Sequence, residues 1–336
     1  MFSTRWKAAL IAPALLIVAA CGGGGGGGGS PPFGPTASKV FAADEVNGGV
    51  GSTENGNPTP GSTIAITRII AGSNTQIPVG PGCFGCLPSL ALDSPRDQLY
   101  VSSSNGILVF NNAGTATGNI APSRVIIVGT NGTGRHIQLN TASDVLYVSL
   151  PTGFVLRIDG ASTANGSTAA SRTFTLSPFT GLTDIVTDMA LDTTNDVLYI
   201  GLNRNGFGKV GIVVGISGKP TSTVTLDAEI SVNAGTPSIT IDGPRNRLYV
   251  ADQSGQIFVF DNARTLSGTP TADRTIVLPF PTPHLFIETT NDRLYASGQS
   301  RVVILNNAGT ATNATGAAVA QLSTMNSDLT AVVARP

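Results

Sequence analysis

One short segment recurs five times along the chain, and this repeat constrains the fold more than any other feature. Each copy holds a short alternating strand, an acidic or amide residue, a turn and a Leu-Tyr pair. The copies span residues 90–101, 137–148, 189–200, 239–250 and 285–296. Their tyrosines, 46 to 52 residues apart, are all five tyrosines of the protein: Tyr100, Tyr147, Tyr199, Tyr249 and Tyr295. A period in this range with short strands predicts β-propeller blades.

Each copy contains four strand-like runs, which we call strands a, b, c and d. In the fourth copy they are Ser238–Asp242, Arg247–Ala251, Gln256–Asp261 and Arg274–Leu278. Turn-forming residues separate strands a, b and c, and a Gly/Thr/Ala-rich stretch separates c from d. Four antiparallel strands with tight turns favour a radial blade over a solenoid, which is the competing repeat architecture.

Strand a alternates between an apolar side and a small or polar side. In the first copy Leu90 and Leu92 lie on one side, and Ser89, Ala91 and Asp93 lie on the other. We expect the apolar side to pack between blades and the other side to face a narrow wet channel. Strands b and c are apolar on both sides, which is typical of strands covered by two neighbouring sheets.

The two chain ends supply a partial sixth copy. Lys39–Asp44 is similar to strand c, Thr67–Ala71 to strand d, and Leu329–Arg335 to strand a. Chain ends that share one blade close a ring without an exposed edge. The sequence therefore predicts an all-β protein, a propeller of six four-stranded blades. The sixth blade is shared by the chain ends, and a blade that lacks strand b is one alternative for it. Five blades is the alternative.

Residues 250–260, Val-Ala-Asp-Gln-Ser-Gly-Gln-Ile-Phe-Val-Phe, and the Leu-Tyr-Val that follows the strand a acid carry a resemblance to a known repeat. They resemble the NHL and YVTN repeats of bacterial propellers, over roughly residues 67–335. The resemblance implies the fold and not the function, because such propellers include enzymes, binding proteins and scaffolds.

The first residues are typical of an export signal. Arg5 and Lys7 precede an apolar run, Ala8–Ala20, whose 13 residues are fewer than the ~20 of a membrane-spanning helix. Val18–Cys21 resembles the lipobox of bacterial lipoproteins, which implies that Cys21 is lipidated after cleavage. The alternative is an ordinary secretory signal with an unmodified cysteine.

The eight glycines Gly22–Gly29 predict a flexible tether after Cys21. In the lipoproteins that this segment resembles, a residue other than Asp after the cysteine implies export to the outer membrane, and Gly22 stands there. The predicted organisation is a signal peptide in residues 1–20, a lipidated cysteine and Gly/Pro-rich tether in residues 21–37, and a propeller in residues 38–336.

Both histidines of the chain, His136 and His284, begin strand a of their copies, and Asp188 holds that position in the third copy. Two imidazoles and a carboxylate could hold a divalent metal if they lie close enough; the alternative is a hydrated polar rim. Arg204, in a longer b–c loop, is expected on the same face. These four residues form the candidate ligand-binding face, and no catalytic residue is assigned.

The acidic or amide residues that end strand a allow two interpretations. They are Asp93, Asn140, Asp192, Asp242 and Glu288. They could form a carboxylate ring that binds Ca²⁺, or each could accept backbone N–H groups of its own a–b turn. The turn sequence that follows each of them favours the second interpretation.

Cys83 and Cys86 lie in the Pro/Gly-rich connection before the first copy. Export to an oxidising compartment predicts a disulfide between them. A thioredoxin-like redox pair needs a helix N-terminus, which this connection does not predict.

Charge limits the classes of partner. Charged residues are 12% of the chain, about half of the usual proportion, the net charge is −1, and no basic run predicts nucleic-acid binding. The sequence favours a lipid-anchored propeller of the cell envelope, at the outer membrane, that binds a protein or glycan without a cofactor. The alternative is a metal-dependent hydrolase or lactonase that uses the central channel.

Overall fold

The computed structural model is an all-β ring of six blades. It describes residues 38–44, 48–53, 58–77, 89–128, 136–150, 153–179, 184–232, 234–235, 237–281, 284–313, 317–322 and 329–335. Short 3-10 turns lie at Ser73–Thr75, Ile216–Gly218 and Ala263–Thr265. No helix within these ranges is long and apolar enough to cross a membrane. The six-bladed propeller is confirmed, and the alternative of five blades is wrong.

The strands follow the repeat in chain order. Strands β1 (Lys39–Asp44), β2 (Gly49–Thr53) and β3 (Thr63–Ala71) precede the first copy. Blade one holds β4 (Leu90–Asp93), β5 (Gln98–Ser103), β6 (Gly106–Asn111) and β7 (Arg124–Ile127). Blade two holds β8 (Ile137–Asn140), β9 (Val145–Ser149), β10 (Phe154–Asp159) and β12 (Arg172–Ser177), with the short β11 (Gly166–Ser167) in its c–d connection.

The later blades have the same plan. Blade three holds β13 (Asp184–Asp192), β14 (Val197–Arg204), β15 (Phe207–Val214) and β17 (Ala228–Ser231), with β16 (Ser222–Thr225) in its c–d connection. Blade four holds β18 (Ser238–Asp242), β19 (Arg247–Ala251), β20 (Gln256–Asp261) and β21 (Arg274–Val277). Blade five holds β22 (His284–Glu288), β23 (Arg293–Gly298), β24 (Arg301–Asn306) and β25 (Ala318–Leu322).

The sixth blade is built from both ends of the described chain. The last strand, β26 (Leu329–Arg335), pairs antiparallel with β1, and the order continues through β2 to β3. Lys39–Asp44 is therefore strand b of this blade, and its assignment as strand c was wrong. Strand c is Gly49–Thr53. It contains two glycines and two hydroxyl residues, so the sequence shows no apolar pattern that would predict a strand there. The blade does not lack strand b.

The core consists of apolar layers between neighbouring blades. Tyr199 of blade three, for example, belongs to one buried cluster with Ile239 and Leu248 of blade four. All five repeat tyrosines lie on strand b, four of them at 0% exposure and Tyr147 at 3%. The five tyrosines thus occupy equivalent, buried positions, one in each of blades one to five.

The outer edges of the blades are also covered. The outermost strand of each blade pairs in parallel with the c–d connection of the next blade. These pairs are β7 with β11, β12 with β16, Ile230 with Gly268, Val277 with Asn313, β25 with residues 63–66 at the start of β3, and Ile70 with Gly118. The Gly/Thr/Ala-rich stretches thus protect strand edges that would otherwise be open to pairing with another chain.

Candidate functional site

The central channel contains a cavity of about 330 Å³, to which the innermost strand of every blade contributes. Residues from both sides of strand a line it, including Leu90, Ala91 and Leu92. The expectation that only the small or polar side faces the channel was therefore wrong. Because the blades are radial, strand a presents its edge to the channel while its two sides pack against neighbouring blades. Ala91 accordingly shares a buried cluster with Tyr100 and Ile137.

At the end of the channel where strand a begins, the structure brings His136, Asp188 and His284 together. His136 Nδ1 lies 3.5 Å and His284 Nε2 lies 3.7 Å from the same atom, Asp188 Oδ1. The side chains of Asp188 and His284 are buried, and that of His136 is 12% exposed. Residues from blades two, three and five thus meet, although they are distant in sequence.

Blade four fixes the carboxylate of Asp188. Its Oδ2 accepts hydrogen bonds from Ser238 Oγ at 2.8 Å and from the Ile239 backbone N–H at 2.9 Å, and its Oδ1 accepts one from the Met189 N–H at 2.8 Å. Burial raises the pKa of Asp188, but the two histidines and the Ile239 N–H outweigh burial, so its pKa lies below the ordinary value. Asp188 is an anion held in one position.

The hydrogen bonding of His284 assigns its proton. Its Nδ1 accepts the Val332 backbone N–H at 3.4 Å, so the neutral ring carries its proton on Nε2. That nitrogen then has no lone pair for a metal ion. Consistently, the described residues contain no group of three His, Cys, Asp or Glu side chains placed to hold a metal.

This cluster is expected to make the stability of the fold depend on pH. Burial lowers the pKa of His284 below its ordinary 6.5, His136 adds to the shift, and Asp188 opposes it. Since the folded state disfavours the protonated imidazole, we expect stability to be full above pH 6.5 and to fall as pH decreases below it. In H284Q the fall in melting temperature between pH 7 and pH 5 should be smaller than in the wild type. An equal or larger fall would contradict the assignment.

The residues that end strand a cap their own turns. Backbone N–H groups of the a–b turns donate to Asp93, Asn140, Asp192, Asp242 and Glu288 at 2.7 to 3.2 Å. Of the four acids, only Glu288 lines the cavity. These contacts support the turn-capping interpretation over the carboxylate ring.

A second recurrent turn residue had not been recognised in the sequence. Four positions after each strand a cap stands Asp97, Asp144, Asp196, Asn246 or Asp292, all with positive φ between 51° and 56°. Each side chain accepts a backbone N–H from the c–d connection of its own blade, as Asp97 does from Gly114 at 2.9 Å. The constant spacing of four residues from the strand a cap could have predicted this second turn residue.

The hydrogen bonds of Arg204 are made to residues outside the histidine cluster. Its guanidinium bonds to Asp184 at 3.2 Å, to Glu229 at 2.6 Å and to the Pro178 carbonyl at 2.8 Å. These contacts connect strands β13, β14 and β17 at the end of the blade where strand a begins. Arg204 therefore braces blade three, and the structure does not join it to His136, Asp188 and His284.

The predicted longer b–c loop is an extended hairpin. Strands β14 and β15 have eight residues each, whereas strand b of the other copies has five or six. The turn is Asn205-Gly206, with φ of 54° and 85°. Positive φ at both residues is typical of a type I′ hairpin turn, which the Asn-Gly pair could have predicted.

Phe207 begins the returning strand at the tip of this hairpin and is 70% exposed. Ile185, on the neighbouring strand at the same end of the blade, is 43% exposed. The sequence does not reveal the exposure of either residue, because a hydrophobic pattern cannot tell an exposed strand position from a buried one. Cys21, Cys83 and Cys86 lie outside the described residues.

Comparison with known proteins supports the fold alone. No protein-family model matches the chain, and no curated protein shows significant sequence similarity to it. Among solved structures, it is similar to a propeller chain in the crystal structure of a nidogen/laminin complex, with a TM-score of 0.60 and 12% identity. The alignment covers 89% of this chain and 98% of that one.

Proposed function

We propose that this protein is a lipid-anchored propeller of the bacterial cell envelope, at the outer membrane, that binds a protein partner through the extended hairpin of blade three. The anchor rests on the lipobox-like segment that ends at Cys21 and on the glycine tether after it. A propeller fold is compatible with an interaction scaffold, and the similar solved chain comes from a complex between proteins.

Phe207 is the observation that carries the proposed interaction. An aromatic side chain that is 70% exposed at a strand end leaves apolar surface in water, and aromatic residues commonly anchor protein interfaces. The hairpin extends about 7–10 Å beyond the length of the other blades, given the two or three additional residues per strand. Asn203 and Val232 connect the hairpin to the adjacent residues 232–235 through hydrogen bonds, yet the Phe207 side chain stays 70% exposed.

The charged side chains of the hairpin and of its neighbouring strands balance one another. Arg204 pairs with Asp184 and Glu229, and Lys209 Nζ donates to Ser231 Oγ at 2.6 Å and lies 3.8 Å from Glu229. Two cations and two anions thus cancel around the exposed ring. The partner that fits this surface is a protein with an apolar pocket and an uncharged polar rim.

Photo-crosslinking tests this proposal. We expect p-benzoylphenylalanine at position 207, in cells of the native host, to give a discrete adduct in which mass spectrometry finds peptides of a second protein. Position 214 is the matched control, because Val214 is 46% exposed at the opposite end of the same strand.

Absence of an adduct at position 207, or equal adducts at positions 207 and 214, would contradict the proposed surface. An adduct that contains no second protein and that glycosidase reduces to the mass of the uncrosslinked chain would instead identify a glycan as the occupant, and would overturn the proposal of a protein partner.

Lipidation at Cys21 is a separate expectation. Mass spectrometry of the native N-terminus should show Cys21 as the first residue with two or more acyl chains, which give stable anchoring. C21A should leave the membrane fraction, whereas C83A should stay in it. Cleavage at a different bond, together with an unmodified Cys21, would refute the anchor.

The alternative of a metal-dependent hydrolase or lactonase has no specific support in the described residues. The strand a acids accept hydrogen bonds from their turns, and His284 Nε2 carries a proton.

A further inference from the structure

One layer of the central channel consists of equivalent residues, one from the innermost strand of each blade. Each pairs with the strand b aromatic residue of its blade, as Ala91 does with Tyr100, and each lines the cavity of about 330 Å³. In blade order the layer is Ala91, Gln138, Ala190, Thr240, Phe286 and Val333. Gln138 and Phe286 are large and only partly buried, whereas the other four have short, buried side chains. Because blades two and five are opposite in a ring of six, an amide and an aromatic ring line the cavity from opposite sides.

The amide group of Gln138 is held in place and has a free acceptor. Its Nε2 donates to the Met189 carbonyl oxygen of blade three at 2.6 Å, which fixes the orientation of the amide. Among the described residues no group donates to its Oε1, and this oxygen keeps exposed surface. Gln138 Oε1 is therefore available to accept a hydrogen bond from a molecule in the cavity.

The innermost strands add backbone polar groups to the wall. Strand a pairs along one edge only, so alternate residues turn their N–H and C=O groups toward the channel. Near the start of strand a, neighbouring blades accept such N–H groups, as Ser89 Oγ does from Ile137 at 3.2 Å. Leu139, two residues further along, has the same backbone orientation and lines the cavity, and no described side chain accepts its N–H. The wall is therefore polar even where its residue is a leucine.

Hydroxyl groups lie at the end of the cavity that the a–b turns form. Ser94 and Thr289 line it there, and both residues are partly exposed. Neither hydroxyl group has a partner among the described residues, and each can donate and accept a hydrogen bond. A molecule that carries several hydroxyl groups matches this mixture of donors and acceptors.

Charge favours an uncharged molecule. Among the described residues, no lysine or arginine lines the cavity, and the negative charges of Asp188 and Glu288 disfavour an anion. Both carboxylate oxygens of Glu288 accept N–H groups of its own turn, so they are not free to hold a cation.

We propose that the cavity binds a neutral ring polyol, of the size of a monosaccharide or a cyclitol. Its C–H groups lie against the ring of Phe286, whose face is apolar and carries partial negative charge, and one hydroxyl group donates to Gln138 Oε1. The volume of about 330 Å³ is within the range of ligand pockets. The site uses no residue of the extended hairpin, so its test is independent of the proposed protein partner.

Two ring alcohols of the same carbon skeleton test the site. myo-Inositol has a hydroxyl group on every ring carbon, and cyclohexanol has a single one. We expect saturable binding of myo-inositol or of methyl β-D-glucopyranoside to the purified protein in an NMR titration. Cyclohexanol should bind at least about tenfold more weakly than the better of these two polyols, because it leaves the polar groups of the wall unpaired.

Variants locate the binding in the channel. Q138L removes the free acceptor and should weaken binding of the better polyol about three- to tenfold, which corresponds to one lost hydrogen bond. L139W should weaken it at least about tenfold by filling the cavity, and L191W gives a second occluding variant from another blade. The matched control is I127W, which adds a tryptophan at an outward position that is 39% exposed and should bind as the wild type does.

Each variant is first checked for an unchanged melting temperature. Absence of saturable binding of both polyols would show that the cavity holds water only, and would overturn the proposal. Equal affinity for cyclohexanol, or wild-type affinity in a folded L139W, L191W or Q138L variant, would also overturn it.

Discussion

A chain that ends at residue 328 is expected to lose cooperative thermal unfolding. The deletion removes β26, whose seven residues are all buried, and leaves β1 without its inner neighbour. Burial of Leu329, Val332 and Val333 alone contributes roughly 5–9 kcal/mol. That amount is comparable with the whole stability of a typical domain, about 5–15 kcal/mol. Circular dichroism during heating measures the result.

A pair of point variants controls for the deletion. V332D places a charge at a fully buried position of β26, whereas V214D places the same charge at a position that is nearly half exposed. The first should unfold the protein or lower its melting temperature strongly, and the second should change stability by less than about 0.5 kcal/mol. Similar melting of the truncated and full-length chains would show that β26 does not close the ring.

Replacing Tyr199 by alanine is expected to cost roughly 3–5 kcal/mol, the range for deleting a large buried aromatic side chain. Tyr199 has no exposed surface and packs between blades three and four. Burial also raises the pKa of its hydroxyl group. Chemical denaturation of Y199A and of the wild type gives the difference in free energy of unfolding.

F207A is the matched aromatic control for this variant. Because Phe207 is 70% exposed, its loss should change the free energy of unfolding by less than about 0.5 kcal/mol. A Y199A variant as stable as F207A would contradict the assignment of the repeat tyrosines to the core.

The repeat was sufficient to predict the propeller, because each of the five copies shows the same pattern of strands. The one misassigned strand, Lys39–Asp44, lies in the blade that has no complete copy to compare. The parallel pairing of the c–d connections escaped prediction, since backbone hydrogen bonds carry almost no side-chain signal. Which residues pair between neighbouring blades is decided only when the ring closes.

The candidate site was predictable only in part. The shared repeat position indicated His136, Asp188 and His284, and the structure brings them together. Both imidazoles approach the same atom, Asp188 Oδ1, and this contact depends on side-chain directions that the sequence does not give. Arg204 was grouped with them because it lies at the same end, whereas Asp184 and Glu229 hold it in blade three. Charge patterns along the sequence did not reveal these pairings.

The affinity of the partner captured at position 207 tests the proposed function most directly. The measurement is titration calorimetry of that partner with the wild type, F207S and V214S, each checked for an unchanged melting temperature. An interface anchor of about 2 kcal/mol predicts that F207S binds about thirtyfold more weakly, whereas V214S binds as the wild type does. Equal affinities of F207S and the wild type would contradict the central role of the extended hairpin.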